Sequence, residues 1–138
     1  MRNPAVHATS GEIVVIDDDS IMRELLADWL EGAGYTVRKA ASCRAWIGEA
    51  VEALARPPAL IVTDMFMPGP CGIEAIAALK RRHAGTAIIA VSGRFDSGER
   101  RGAPVAHAAG ADRALAKPLR RAELLNAVAG LIGLPRQQ

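Results

Sequence analysis

The fold is decided by Leu60-Ile61-Val62-Thr63, an apolar run that leads directly into Asp64. The run contains no polar alternation, which is typical of a strand covered on both faces of its sheet. Runs of the same kind occupy residues 13–16 (IVVI), 87–91 (AIIAV) and 114–116 (ALA). We therefore predict four buried strands, with room for helices between them.

A fifth strand is predicted at residues 35–40, where apolar and polar side chains alternate as on an edge strand with one wetter face. Apolar side chains at helical spacing fall between the strands and predict five helices, and Ser20 is expected to cap the first of them. These helices lie around residues 21–30, 46–54, 73–79, just after Pro104, and 124–132. Strand and helix alternate, which predicts an α/β domain with a parallel sheet and helices on both faces.

The length of 138 residues suits one domain, which we place at residues 12–134 between polar tails at 1–11 and 135–138. The net charge of +2, from 17 basic and 15 acidic side chains, is too balanced to favour binding to nucleic acid or to an anionic membrane. No apolar run approaches the roughly 20 residues of a membrane span. Cys43 and Cys71 stand far apart without the spacing of a zinc site, so a reducing cytoplasm fits the chain.

Polar side chains follow the predicted strands at the point where each one ends. The first strand runs into Asp17, Asp18 and Asp19, the third ends in Asp64, the fourth in Ser92 and the fifth in Lys117. Sites in open parallel sheets form beyond the carboxyl ends of the strands. We therefore expect carboxylates, a hydroxyl and an ammonium to meet at one rim, although turn and capping chemistry alone would also account for residues 17–19.

Carboxylates that lie close together repel one another unless a cation intervenes. Oxygen ligands suit Mg²⁺, which is commonly held by one or two carboxylates and phosphate oxygens. A carboxylate such as Asp64 can itself attack phosphorus, and the ammonium of Lys117 and the hydroxyl of Ser92 could stabilise the transferred charge. The residues therefore predict a Mg²⁺ site that receives a phosphoryl group.

These motifs resemble the receiver domain of bacterial two-component response regulators, over residues 12–134. The resemblance is carried by residues 14–18 (VVIDD), 61–69 (IVTDMFMPG), 91–92 (VS) and 117–118 (KP). It implies a doubly wound, flavodoxin-like sheet of five strands in the order 2-1-3-4-5. It also implies a phosphoprotein that catalyses only its own phosphorylation and dephosphorylation, and is otherwise no enzyme.

The resemblance also implies roles for individual residues. Asp64 would be the phosphoacceptor, and Lys117 and Ser92 would contact the phosphoryl group. Asp17, Asp18, Asp64 and the backbone carbonyl of Phe66 would hold Mg²⁺, whereas Asp19 is expected to start a turn. The donor would be a histidine kinase or a histidine phosphotransfer protein, and the output would be an unidentified downstream protein, with dimerisation on activation left open.

Two departures from the family pattern affect the predicted switch. Ala114 stands three residues before the lysine, where the family often carries Tyr or Phe, and residues 94–104 predict a long polar loop in place of the start of the fourth helix. Two further positions, Phe66 and Arg94, flank the expected phosphoryl group. The bulk of Phe66 predicts a long-lived phosphoryl state because it would exclude water.

Two other functions remain open on the sequence. Ala114 favours an interaction module that keeps the fold without being phosphorylated. A Mg²⁺-dependent phosphatase of the haloacid-dehalogenase type would also use an aspartate nucleophile, but the residues after Asp64 and the lack of room for a cap domain disfavour it. Four residues follow Leu134 in the sequence, and we expect either a single-domain regulator or a piece of a longer one.

Overall fold

The computed structural model describes residues 12–42, 58–64, 72–82, 84–92 and 110–135. Five strands and three helices lie in these ranges. The strands are β1 (Ile13–Ile16), β2 (Val37–Ala40), β3 (Leu60–Asp64), β4 (Ala87–Ser92) and β5 (Arg113–Ala116). The helices are α1 (Ser20–Gly32), α2 (Gly72–Arg82) and α3 (Arg121–Ile132). The predicted helices at 46–54 and after Pro104 lie outside the described residues.

The five strands form one parallel sheet in the order β2-β1-β3-β4-β5. This order confirms the predicted doubly wound arrangement. The chain runs outward from β1 to one edge, then crosses back and runs to the other edge. The carboxyl ends of β1 and β3 are therefore neighbours, which is the place where such sheets form their sites.

The core explains why the strand sequences are apolar on both sides. On one face of the sheet, Ile13, Val15 and Val62 pack with Leu26 and Leu30 of α1. The same cluster contains further buried side chains from the strands and from α3: Leu60, Ile89, Val91, Leu124, Val128 and Ile132. The opposite face contains the alternate strand residues, and α2 contributes two fully buried side chains, Ile76 and Leu79.

Helix α1 begins one residue earlier than expected, because Asp19 rather than Ser20 is its N-cap. The Asp19 carboxylate accepts hydrogen bonds from the backbone N–H groups of Ile21 (3.0 Å) and Met22 (3.4 Å). Such a cap satisfies amides that have no partner within the helix. The prediction for Ser20 was wrong, and the expectation that Asp19 starts a turn is confirmed.

The two edge strands of the sheet are more exposed to solvent than its central strands. Strand β2 lies at an edge, as predicted, and carries a half-buried Arg38 and an exposed Lys39, with Arg38 paired to Glu12 at 3.1 Å. The prediction of a buried strand at 114–116 was wrong in degree: these residues are half-buried, because β5 forms the other edge. Among the described residues, no helix is both long and apolar enough to cross a membrane.

Candidate functional site

The first part of the site is the segment that follows β1. Asp17 is 1 % exposed, and its carboxylate accepts a hydrogen bond from the backbone N–H of Asp19 at 2.9 Å. Its own N–H donates to the carbonyl of Ala40 at the end of β2 (3.2 Å). Asp18 is exposed, so the turn directs one acid into the rim of the sheet and leaves the next at its surface.

The second part of the site comes from β3, β4 and β5. Asp64 is the last residue of β3 and is 9 % exposed, and Ser92 is the fully buried last residue of β4. Lys117 directly follows β5, and its backbone N–H donates to the carbonyl of Ser92 at 3.0 Å. The parallel register therefore carries all three residues to the same rim.

Lys117 lies between the two buried acids. Its Nζ is 3.6 Å from Oδ2 of Asp17 and 3.5 Å from Oδ2 of Asp64. The lysine side chain is 24 % exposed, while the carboxylates of Asp17 and Asp64 are 2 % and 9 % exposed. Because water screens these charges poorly, the ammonium is a strong local source of positive potential.

The surroundings of Asp17 in this site shift the pKa of its carboxyl. Burial raises the pKa of its carboxyl above the ordinary value, and the negative charges of Asp64 and Asp18 raise the pKa further. The hydrogen bond from the Asp19 backbone and the charge of Lys117 lower the pKa and only partly compensate. Burial therefore makes the charged form of this carboxyl unfavourable in the folded protein, and a cation beside it would offset that penalty.

The donor atoms fit a small divalent cation. Asp17, Asp18 and Asp64 each offer one carboxylate oxygen, and these oxygens all lie within 4.8 Å of one another. A set of oxygens that combines two buried acids with one exposed acid suits Mg²⁺, which usually keeps several waters. The predicted fourth ligand, the carbonyl of Phe66, lies outside the described residues, as does Arg94.

Adding Mg²⁺ is expected to raise the melting temperature of the protein. At ten times the dissociation constant, linkage gives about 1.4 kcal/mol of stabilisation, which corresponds to a shift of several degrees. Thermal unfolding in MgCl₂, against NaCl of equal ionic strength, measures the shift, and Asp18→Asn should reduce it. Equal melting temperatures in the two salts would count against a metal site.

The structure brings together five of the predicted site residues: Asp17, Asp18, Asp64, Ser92 and Lys117. Their roles in phosphoryl transfer remain predictions. One contact was missed from the sequence, since Nη1 of Arg23 donates to the backbone carbonyl of Asp17 at 2.7 Å. In the sequence, Arg23 is recognisable only as a basic residue one helical turn after Asp19. That spacing is too common in helices to identify Arg23 as part of the site.

Comparison with known proteins agrees with this geometry. The family model described as the response regulator receiver domain matches residues 13–129. The transcriptional regulatory protein FixJ of Azorhizobium caulinodans is 37 % identical over 127 residues, which cover 90 % of this chain and 56 % of that protein. The regulatory protein AruR of Pseudomonas aeruginosa is 33 % identical over 87 % of this chain and 48 % of its own length. The chain thus spans about half the length of these curated relatives.

Solved structures give the same result. A response regulator receiver domain from Clostridium thermocellum superposes with a TM-score of 0.78 at 28 % identity, covering 88 % of this chain and 94 % of that one. The chemotaxis protein CheY4 of Vibrio cholerae has a TM-score of 0.75 at 26 % identity, over 88 % and 98 %. A response regulator from Burkholderia pseudomallei, solved with a phosphorylated aspartic acid, a calcium ion and citrate, has a TM-score of 0.73 at 29 % identity, over 88 % and 66 %.

Proposed function

This chain belongs to the response regulator receiver domains of two-component signalling systems, and we propose that it accepts a phosphoryl group on Asp64 with the help of Mg²⁺. One observation carries the proposal. Lys117 Nζ stands 3.5 Å from the Asp64 carboxylate, at a rim where Asp17 and Asp18 bring their oxygens within 4.8 Å of it. A nucleophile, a fixed cation and ligands for a second cation are therefore adjacent.

In the proposed transfer, a carboxylate oxygen of Asp64 attacks the phosphorus of a phosphohistidine. The new O–P bond forms while the P–N bond breaks, and the imidazole leaves with the electron pair of that bond. Lys117 stays within reach of the oxygens on which negative charge develops, and the buried hydroxyl of Ser92 lies at the same rim. Mg²⁺, when bound by Asp17, Asp18 and Asp64, would neutralise further charge on the phosphoryl oxygens.

The second half of the cycle is hydrolysis of the acyl phosphate. Water attacks the phosphorus, inorganic phosphate leaves, and the carboxylate of Asp64 is restored. The chain thus acts only on its own phosphoryl group and turns over no separate substrate. The structure from Burkholderia pseudomallei supports the chemistry by analogy, since that protein carries a phosphorylated aspartic acid and a calcium ion.

The donor in this proposal is a histidine kinase or a histidine phosphotransfer protein in the cytoplasm. The phosphoryl group then changes the affinity for a downstream protein. Several relatives are transcriptional regulators, and the chain matches about half of their length. Ala114 stands in β5 where the family often carries an aromatic residue. A change at Ser92 would therefore affect binding of the downstream protein without the movement of an aromatic ring.

Acetyl phosphate, a small phosphodonor, tests the proposal without knowledge of the kinase. We expect the intact mass of the protein to increase by one phosphoryl group in the presence of Mg²⁺, and not in the presence of a chelator. The absence of any label in Mg²⁺ would favour the alternative function, an interaction module that is never phosphorylated. The receiver family match argues against the haloacid-dehalogenase alternative, which would instead predict turnover of a generic phosphate ester.

Substitution of Phe66 is expected to shorten the life of the phosphoryl group. Phe66→Asn removes an apolar side chain two residues after the acceptor and admits water, so dephosphorylation should become about tenfold faster, a change of 1.4 kcal/mol in the barrier. Release of inorganic phosphate from the labelled protein measures the rate, with Phe66→Leu as the control that keeps the bulk. Equal or slower loss in Phe66→Asn would contradict the steric role of Phe66.

A further inference from the structure

The side chain of Arg23 turns back from α1 to the segment that carries the acids. Its Nη1 donates to the backbone carbonyl of Asp17 at 2.7 Å, and Arg23 as a residue is half-buried. The backbone N–H of the same residue donates to the carbonyl of Asp19 at 2.9 Å. One residue therefore holds both ends of the three-residue segment 17–19.

A hydrogen bond to the carbonyl of Asp17 restrains the backbone next to Asp18. This carbonyl belongs to the planar peptide unit that extends to the Cα atom of Asp18, so holding the carbonyl restrains the position from which the Asp18 side chain projects. The neighbouring acids are anchored through their carboxylates, Asp17 on the N–H of Asp19 and Asp19 on the start of α1. Asp18 is exposed, and among the described residues its carboxylate accepts no hydrogen bond.

We propose that Arg23 is a positioning residue for the cation site, which orients Asp18 by holding the carbonyl of Asp17. This inference rests on the proposed function, because it assumes that Asp18 is a ligand. Outer partners of metal ligands commonly contribute 10- to 100-fold to metal affinity. Arginine suits the task because its charged N–H groups reach from the helix while its stem packs along the protein.

The contribution of Arg23 is geometric rather than electrostatic. The cation that lowers the pKa of the Asp17 carboxyl is Lys117, against the larger effect of burial, which raises it. Arg23 contacts a neutral carbonyl and not a carboxylate. Its removal should therefore misplace a ligand while Lys117 still faces the carboxylate of Asp17.

The test is the affinity of the purified chain for Mg²⁺, measured by calorimetric titration in the absence of any phosphodonor. Arg23→Met keeps the apolar stem and removes the donor, and we expect the dissociation constant to rise about tenfold. Arg23→Lys keeps a charged donor and should recover most of the affinity. Arg38→Met is the matched control, because that guanidinium pairs with Glu12 at 3.1 Å, beside the opposite end of β1.

The outcomes separate this inference from the function on which it rests. If Arg23→Met binds Mg²⁺ as tightly as wild type, or if Arg38→Met weakens binding equally, the positioning role is overturned while the metal site stands. If wild type itself does not bind Mg²⁺, the metal site fails and this inference fails with it. Should Arg23→Met not fold, Arg23→Gln takes its place: its amide is too short to reach the carbonyl, and unchanged affinity in that variant would equally overturn the role.

Discussion

Asp64→Asn is expected to abolish phosphoryl uptake from acetyl phosphate. The amide is nearly the same size as the carboxylate, but it is not a nucleophile, so no acyl phosphate can form. The substitution also removes one of the negative charges that raise the pKa of Asp17. The variant should therefore fold at least as well as wild type without Mg²⁺, and its loss of labelling would not reflect unfolding.

The measurement is the intact mass of each variant after exposure to acetyl phosphate and Mg²⁺. Asp28→Asn is the matched control, since it makes the same chemical change at an exposed position on α1. The control should be labelled as wild type is. Undiminished labelling of Asp64→Asn would mean that another residue accepts the phosphoryl group.

Lys117→Met is expected to slow phosphorylation by about a hundredfold or more, which is the usual effect of removing one stabilising donor from a site where negative charge develops. The ammonium lies 3.5 Å from Asp64, and methionine replaces it with a neutral side chain of similar length. Binding of Mg²⁺ should persist, because Lys117 contributes charge and no ligand oxygen. A slow reaction with retained metal binding would show that stabilisation of the transferred charge and binding of Mg²⁺ depend on different residues.

Initial rates of labelling at saturating Mg²⁺ measure this effect. Lys39→Met provides the control, because that lysine is an exposed cation paired with Glu24 on the edge of the sheet. Labelling of Lys117→Met at the wild-type rate would refute the proposed stabilising role. Loss of Mg²⁺ binding in this variant would instead indicate that the lysine organises the acids themselves.

The strands and the site could be predicted because both depend on simple patterns. A strand buried on both faces requires a continuous apolar run, which is what β1, β3 and β4 contain. In a parallel sheet the carboxyl ends meet at one rim, so the residues that follow the strands become neighbours whatever the loops do. Asp17, Asp64 and Lys117 followed from these two rules.

Other features depend on contacts that no pattern specifies. Asp19 and Ser20 are both good N-caps, and the choice between them was made by the hydrogen bonds from Ile21 and Met22. The exposure of β5 followed from its place at the edge of the sheet, which its own apolar sequence does not reveal. The bond from Arg23 to Asp17 depends on the path of a long, flexible side chain.

The packing of α1 illustrates the same limit. Two neighbouring apolar stripes run along this helix in the sequence, and periodicity alone does not say which one is buried. The structure buries Leu26 and Leu30, whereas Ile21 is 80 % exposed and Leu25 is 40 % exposed. The choice was made by the position of the helix across the sheet, which is a property of the whole fold.

Asp64 alone is expected to receive the phosphoryl group at this rim of the sheet. Borohydride reduces an aspartyl phosphate to homoserine, so treatment of the labelled protein followed by peptide mass spectrometry locates the acceptor. We predict homoserine at position 64, formed only when Mg²⁺ was present during labelling. Homoserine at a different aspartate, or its complete absence from a labelled protein, would contradict the assignment of Asp64 as the phosphoacceptor.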